Sequence, residues 1–161
     1  MTPEEIIQAN EVLRDKSPLE VVRWAITKAD RRAIVSTNFR PYEAVVLHLA
    51  TEEQPDIPIL WVDHGYNRAA TYTHAEELKS VLKLNIKAYL PKFTAAHYEA
   101  LHGGMPEPTG ENEEAIKAFS TIMKLEPFSA GHERVGSHSL DYRPAQSAES
   151  KSCRIGHCKL R

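Results

Sequence analysis

The chain has 161 residues, 42% of them hydrophobic and 26% charged, enough for one globular domain with a real core. A net charge of -2 gives no global pull toward nucleic acid, and no apolar run reaches the length of a membrane span. The two cysteines, Cys153 and Cys158, are too few for a disulfide framework, and Cys-x4-Cys without further ligands is a weak metal signal, so no metal is expected.

The start, Met1-Thr-Pro-Glu-Glu5, is polar and acidic and is no signal peptide, which makes the cytoplasm the expected compartment. Thr2-Pro3-Glu4-Glu5 reads instead as a helix start: a capping hydroxyl, proline at the first position and acids in the first turn. Ser17-Pro18-Leu19-Glu20 repeats the signal with a capping box, and Leu19, Val22, Ala25 and Ile26 carry helical spacing to about Lys28. Both helices are expected to cover a sheet edge, with Trp24 as packing.

Asp30-Arg31-Arg32 turns the chain into a short apolar strand, Ala33–Val35. Ser36-Thr37-Asn38 follow as a polar turn, and a helix runs over about 42–51 with Val45, Val46 and Leu49 on one side. Strand, polar turn and helix is how an α/β fold makes an anion site, because turn N–H groups and the helix N-terminus point at one spot. An ordinary connection with a good N-cap would read the same way.

Ile57-Pro-Ile-Leu-Trp-Val62 is a near-continuous apolar run that suits a strand buried on both faces of a parallel sheet. It ends in Asp63-His64-Gly65-Tyr66, at the strand end where open α/β sheets bind ligands. Asp63 could accept from a base or ribose and Gly65 would let a ring approach; a turn whose Asp caps the next helix is the plainer reading. Thr71–Leu84 is a helix with Leu78, Val81 and Leu82 inward, ended by Asn85. Ile86–Leu90 alternates as a third strand, and Thr94–Leu101 is a short helix. A loop over 103–110 is long enough to move over a site, and a last helix spans about Asn112 to Met123. Three strands separated by helices predict an α/β fold, a parallel, Rossmann-like sheet flanked by helices.

Four stretches in register carry a resemblance. Ser36-Thr37-Asn38-Phe39 matches a serine-rich loop; Pro55-Asp-Ile-Pro58 leads to Asp63-His-Gly-Tyr66, similar to a Pro-Asp-Ile-Pro and Asp-Thr-Gly-Tyr pair; Thr71–Tyr89 resembles the following helix and strand; Lys124-Leu-Glu-Pro127 looks like a Lys-x-Glu-Pro element. Together, over about residues 20–128, they resemble the phosphoadenylyl-sulfate (PAPS) reductase family, of adenine nucleotide α-hydrolase-like fold. The resemblance implies an oxidoreductase of sulfate assimilation that reduces an adenylyl sulfate to sulfite. A cysteine thiolate would attack the sulfate sulfur to give S-sulfocysteine and the 3′,5′-bisphosphate (PAP), and thioredoxin or glutaredoxin would then release sulfite. It further implies that Ser36, Thr37 and Asn38 cradle the phosphosulfate, that Asp63 and Gly65 border the adenosine, and that Lys124 neutralises an anion. It allows a homodimer. The paired cysteines of iron–sulfur relatives are absent, so no cluster is expected.

Two departures qualify the resemblance. Arg40-Pro41 stands where the family places Gly after Phe, so Arg40 either strains the loop or lends its charge to the anion. After Phe128 the family's paired arginines and late Glu-Cys-Gly-Leu-His do not follow. Residues 129–161 have five large apolar side chains and a charge of +3, against -5 for residues 1–128. The expected division is therefore a nucleotide-binding part, 1–128, and a disordered tail, 129–161, read as a truncated, frame-shifted or otherwise aberrant continuation. Cys158 and Cys153 fall in that tail and match no family motif, leaving the nucleophile unassigned. The alternatives are a catalytically incomplete adenine-nucleotide-binding module, or an ATP pyrophosphatase-type enzyme, whose Ser-Gly-Gly-x-Asp-Ser loop Ser36–Arg40 lacks.

Overall fold

Three short strands rich in β-branched and aromatic residues form the centre of the chain. β1 (Val35–Thr37), β2 (Pro58–Val62) and β3 (Asn85–Tyr89) pair in parallel in the order β1-β2-β3. Val35 stands level with Ile59, and Ile59 with Ile86. The computed structural model describes residues 2–30 and 32–138.

Among the described residues there are seven α-helices: α1 (Pro3–Leu13), α2 (Pro18–Lys28), α3 (Glu43–Glu53), α4 (Ala69–Leu82), α5 (Ala95–His102), α6 (Glu113–Ser120) and α7 (Glu126–His138). One face of the sheet presents Val35, Ile59 and Trp61 to Leu47 and Ala50 of α3 and Ala75 of α4, with α2 packed on α3. The buried stripe of α2 is Val22, Ala25 and Ile26, each large side chain stabilising by about 1.5–3 kcal/mol. α7 packs against β2 and β3. A Cβ on Gly131 would lie 2.7 Å from both Leu60 and Tyr89, so only glycine admits that approach.

Several elements depart from the sequence reading. The capping boxes form as expected at Thr2–Glu5 and Ser17–Glu20. α1, however, buries no residue and leaves Ile6, Ile7 and Val12 exposed, so it covers no sheet edge. β1 begins later and runs through Ser36 and Thr37, because Thr37 is a good strand residue and is buried. In α3 the buried face is Leu47 and Ala50, while Val45 is exposed; in α4 Val81 is exposed and Ala75 takes the core position. α4 ends on Lys83 in the left-handed conformation, and Asn85 starts β3, donating from Nδ2 to the Asp56 carbonyl.

The largest correction lies at the expected boundary. α6 continues through a π-helical turn, Thr121–Leu125, directly into α7, which crosses residue 128 without a break. Val135 is buried and Gly131 is pressed on the sheet. The helix over residues 129–135 therefore belongs to the packed body. The composition there looks like a tail because the helix meets the sheet through a small residue instead of a large apolar one. Residues 139–161, with Cys153 and Cys158, lie outside the described residues.

Candidate functional site

The carboxyl ends of β1 and β2 lie side by side, and the loop after β1 packs on β2 through aromatic rings. Phe39, 2% exposed, sets its ring edge-on to Trp61 with centroids 5.0 Å apart. This anchors the first loop to the second strand and holds Phe39 at φ +54. The left-handed residue is thus Phe39, not Arg40; the loop places its strain one position earlier than the sequence suggested. A left-handed non-glycine costs about 1–2 kcal/mol, which the burial of the ring offsets.

The loop closes on itself through one carboxylate. Glu43, the first residue of α3, accepts from the Thr37 hydroxyl (2.8 Å), the Asn38 N–H (2.8 Å) and the Arg40 N–H (3.3 Å), all at Oε2. The Phe39 N–H donates to Thr37 Oγ1 at 2.9 Å. The Thr37 hydroxyl and the Asn38 N–H, expected to cradle a phosphosulfate, are thus engaged within the chain by Glu43. Ser36 is exposed on the opposite face of β1, since consecutive strand residues point to opposite sides. Nothing in the sequence singled out Glu43 beyond its being an acid at a helix start.

The second loop closes around Asp63. Its Oδ1 accepts from the Tyr72 hydroxyl (2.7 Å), the Gly65 N–H (3.0 Å) and Asn67 Nδ2 (3.2 Å). The Tyr72 hydroxyl titrates above its ordinary range, first through burial and then through its bond to Asp63, so it stays a donor. Gly65 sits at φ +76, and a Cβ there would meet the Ala95 Cβ at 3.1 Å. Asp63 thus shapes the turn in addition to any role toward a ligand. Tyr72 and Asn67 were missed; only their spacing from Asp63 could have suggested them.

Lys124 reaches the same end from the π-helical turn. Its Nζ lies 5.5 Å from the centroid of the Phe119 ring, a cation–π arrangement. Phe119 packs edge-on to Tyr66 and Tyr98, and His64 lies 6.5 Å from it. Burial lowers the His64 pKa, the Lys124 cation lowers it further, and Asp63 opposes both. His64 Nδ1 accepts from the Tyr66 N–H at 3.2 Å, which places the proton of the neutral ring on Nε2. Lys124 and the Asp63–Tyr66 turn therefore share one neighbourhood. π turns recur at functional sites, and this one sets the register of Lys124.

A cavity of about 900 Å³ lies elsewhere. Its lining includes Arg32, Ile34, Gln54 and Pro58 at the amino ends of β1 and β2, Asn85, Lys87 and Tyr89 along β3, and Arg134 of α7. Ligands of open α/β sheets bind at the carboxyl ends, from which the loops just described leave, so that end is the candidate site. Among the described residues no group of three or more His, Cys, Asp or Glu side chains is placed to hold a metal ion, and no helix is long and apolar enough to cross a membrane.

A parallel sheet flanked by helices, with a polar turn leading from β1 into α3, defines an α/β protein of the adenine nucleotide α-hydrolase-like class. The family model for the phosphoadenosine phosphosulfate reductase domain matches residues 32–139. The chain belongs to the phosphoadenosine phosphosulfate reductase family. The match continues past residue 128, in agreement with the packing of α7.

The phosphoadenosine 5′-phosphosulfate reductase of a Synechococcus species is 35% identical over 156 residues, covering 96% of this chain and 66% of that protein. That of Vibrio campbellii is 38% identical over 122 residues, covering 76% and 46%. A crystal structure of PAPS reductase from Candida auris, in complex with phosphate, superposes with a TM-score of 0.69 at 20% identity, covering 84% of this chain and 64% of that one. The chain thus spans between about half and two thirds of the relatives it matches.

Proposed function

We propose that the chain binds an adenylyl sulfate, or PAP, at the carboxyl ends of β1 and β2, as the nucleotide-binding part of a phosphoadenylyl-sulfate reductase of sulfate assimilation. The observation that supports this reading is that the loops after two adjacent strands each close at that end, with Lys124 beside the second, all within the span of the family match. In this reading Lys124 and Arg40 supply cationic charge to the phosphosulfate, while Ser36, Thr37 and Asn38 supply short-range donors. The Asp63–Gly65 turn borders the adenosine. The setting is the cytoplasm, and the electrons come from thioredoxin or glutaredoxin.

The chemistry asks for a thiolate. Its attack on the sulfate sulfur breaks the sulfur–oxygen bond to phosphate, releases PAP and leaves S-sulfocysteine; a thiol of the reductant then displaces sulfite, and its second thiol closes a disulfide. Cys153 and Cys158 are the two thiols of the chain. A catalytically incomplete adenine-nucleotide-binding module is the competing reading, since neither Cys153 nor Cys158 stands in a Glu-Cys-Gly-Leu-His sequence.

Sulfite release with thioredoxin as reductant separates the two readings. An active chain releases sulfite from PAPS, and a Cys153→Ser/Cys158→Ser double variant abolishes it. Activity surviving in the double variant excludes both thiols as nucleophiles. Tight PAP binding without sulfite supports the binding module. ATP bound in preference to PAP overturns both.

A further inference from the structure

The donors that the loop offers to an anion already hold one. Three of them, the Thr37 hydroxyl and the Asn38 and Arg40 N–H groups, converge on Glu43 Oε2 at 2.8–3.3 Å. A carboxylate accepting several hydrogen bonds, one from a hydroxyl and others from backbone N–H groups, is arranged as a bound phosphate oxygen would be. Glu43 is also the first residue of α3, an eleven-residue helix whose N-terminal dipole favours negative charge at that position. The side chain is half-buried, and its backbone N–H is held by the Arg40 carbonyl at 2.9 Å. Among the described residues no cation pairs with its carboxylate.

Two anions cannot share these donors. The loop has no spare N–H between Thr37 and Arg40, because the remaining one, at Phe39, donates to Thr37 Oγ1. A phosphosulfate group held beside an intact Glu43 would also face like charge at close range. Phe39, locked under Trp61, keeps the backbone of the loop in place whether or not the carboxylate is present. The element free to move is thus the Glu43 side chain, by rotation about its own bonds.

We propose that Glu43 is a built-in competitor for the anion site, holding the ligand-free loop through the donors that the ligand's phosphosulfate takes over on binding. This rests on the assignment of the loop to an adenylyl sulfate. It adds a selectivity rule: a polyanion can displace the carboxylate, whereas a neutral nucleoside cannot, and ligand binding exchanges one anion for another.

The test is calorimetric titration of the whole chain, wild type, Glu43→Ala and Glu43→Gln, with PAP, with adenosine and with inorganic phosphate. If the loop is open about a tenth of the time in the wild type, removing the carboxylate tightens PAP binding about tenfold. E43Q keeps a weaker, neutral acceptor and gains about threefold. Adenosine, which lacks the anion, is unchanged in both. Backbone amide spectra on adding phosphate shift Asn38 and Arg40 in E43A. Weaker or equal PAP binding in a folded E43A, with the same in E43Q, overturns the proposal and makes Glu43 a fixed brace. Should PAP bind none of the three proteins, the nucleotide assignment fails. Phosphate then decides this inference alone: shifts at Asn38 and Arg40 in E43A uphold it, and none overturns it. If E43A does not fold, the E43Q comparison carries the same decision.

Discussion

Two neighbouring strands end in loops that each close around one carboxylate, and the carboxylates come from opposite directions. Asp63 stands at the end of β2 and reaches forward, gathering Gly65, Asn67 and Tyr72 behind it. Glu43 stands in the helix after β1 and reaches back, gathering Thr37, Asn38 and Arg40. The first takes two side-chain donors and one backbone N–H and fixes a turn. The second occupies a hydroxyl and two backbone N–H groups, the kind of donor an anionic ligand uses. The difference teaches which loop is scaffold and which is open to exchange.

Three perturbations break or sharpen that contrast. The largest effect is expected where the first loop packs on β2. Phe39→Ala removes a ring that is 2% exposed and touches Trp61, and should cost about 3–5 kcal/mol in urea unfolding. A loss below about 1 kcal/mol would mean that the first loop is not locked to β2. Next comes Asp63→Ala, which strands the Tyr72 hydroxyl, Asn67 and the Gly65 N–H. It should destabilise by about 2 kcal/mol, with Asp63→Asn less severe because it keeps an acceptor.

The smallest effect belongs to His64. Its pKa is depressed from the ordinary 6.5, chiefly by burial, so the folded state favours the neutral ring. The associated stability is complete above about pH 6.5 and is lost as pH falls through the lower folded value. His64→Gln should flatten that part of the melting-temperature profile between pH 7 and pH 5 and leave the neutral-pH melt nearly unchanged. An unaltered profile would place the acid sensitivity elsewhere.

Much of the scaffold is legible from residues alone. Ser17 and Glu20 announce a helix start through spacing that lets each side chain reach the other's backbone. Ile57–Val62 reads as a central strand because no position can face water. What stays hidden depends on partners distant in sequence. α7 is invisible because its decisive residue, Gly131, contributes closeness instead of apolar area. The exposure of Val81 follows from how α4 is rotated against α3, which the stripe Leu78, Val81 and Leu82 does not encode. In the site, Asp63 and Gly65 could be picked out because they belong to a motif, and Ser36–Asn38 because they follow a strand. Glu43 could not, since its role exists only once the loop has folded back onto the helix. The positive φ at Phe39 was equally hidden, since it depends on Trp61 accepting the ring.

The central claim is that the anion sits at the carboxyl ends of the strands, by Lys124, and not in the 900 Å³ cavity that Lys87 lines. Calorimetric titration with PAP of the wild type, Lys124→Ala and Lys87→Ala compares the two places in one experiment. Saturable one-to-one binding that weakens about tenfold in K124A and holds in K87A is the expected result. Binding lost in K87A and kept in K124A would move the site into that cavity and contradict the account.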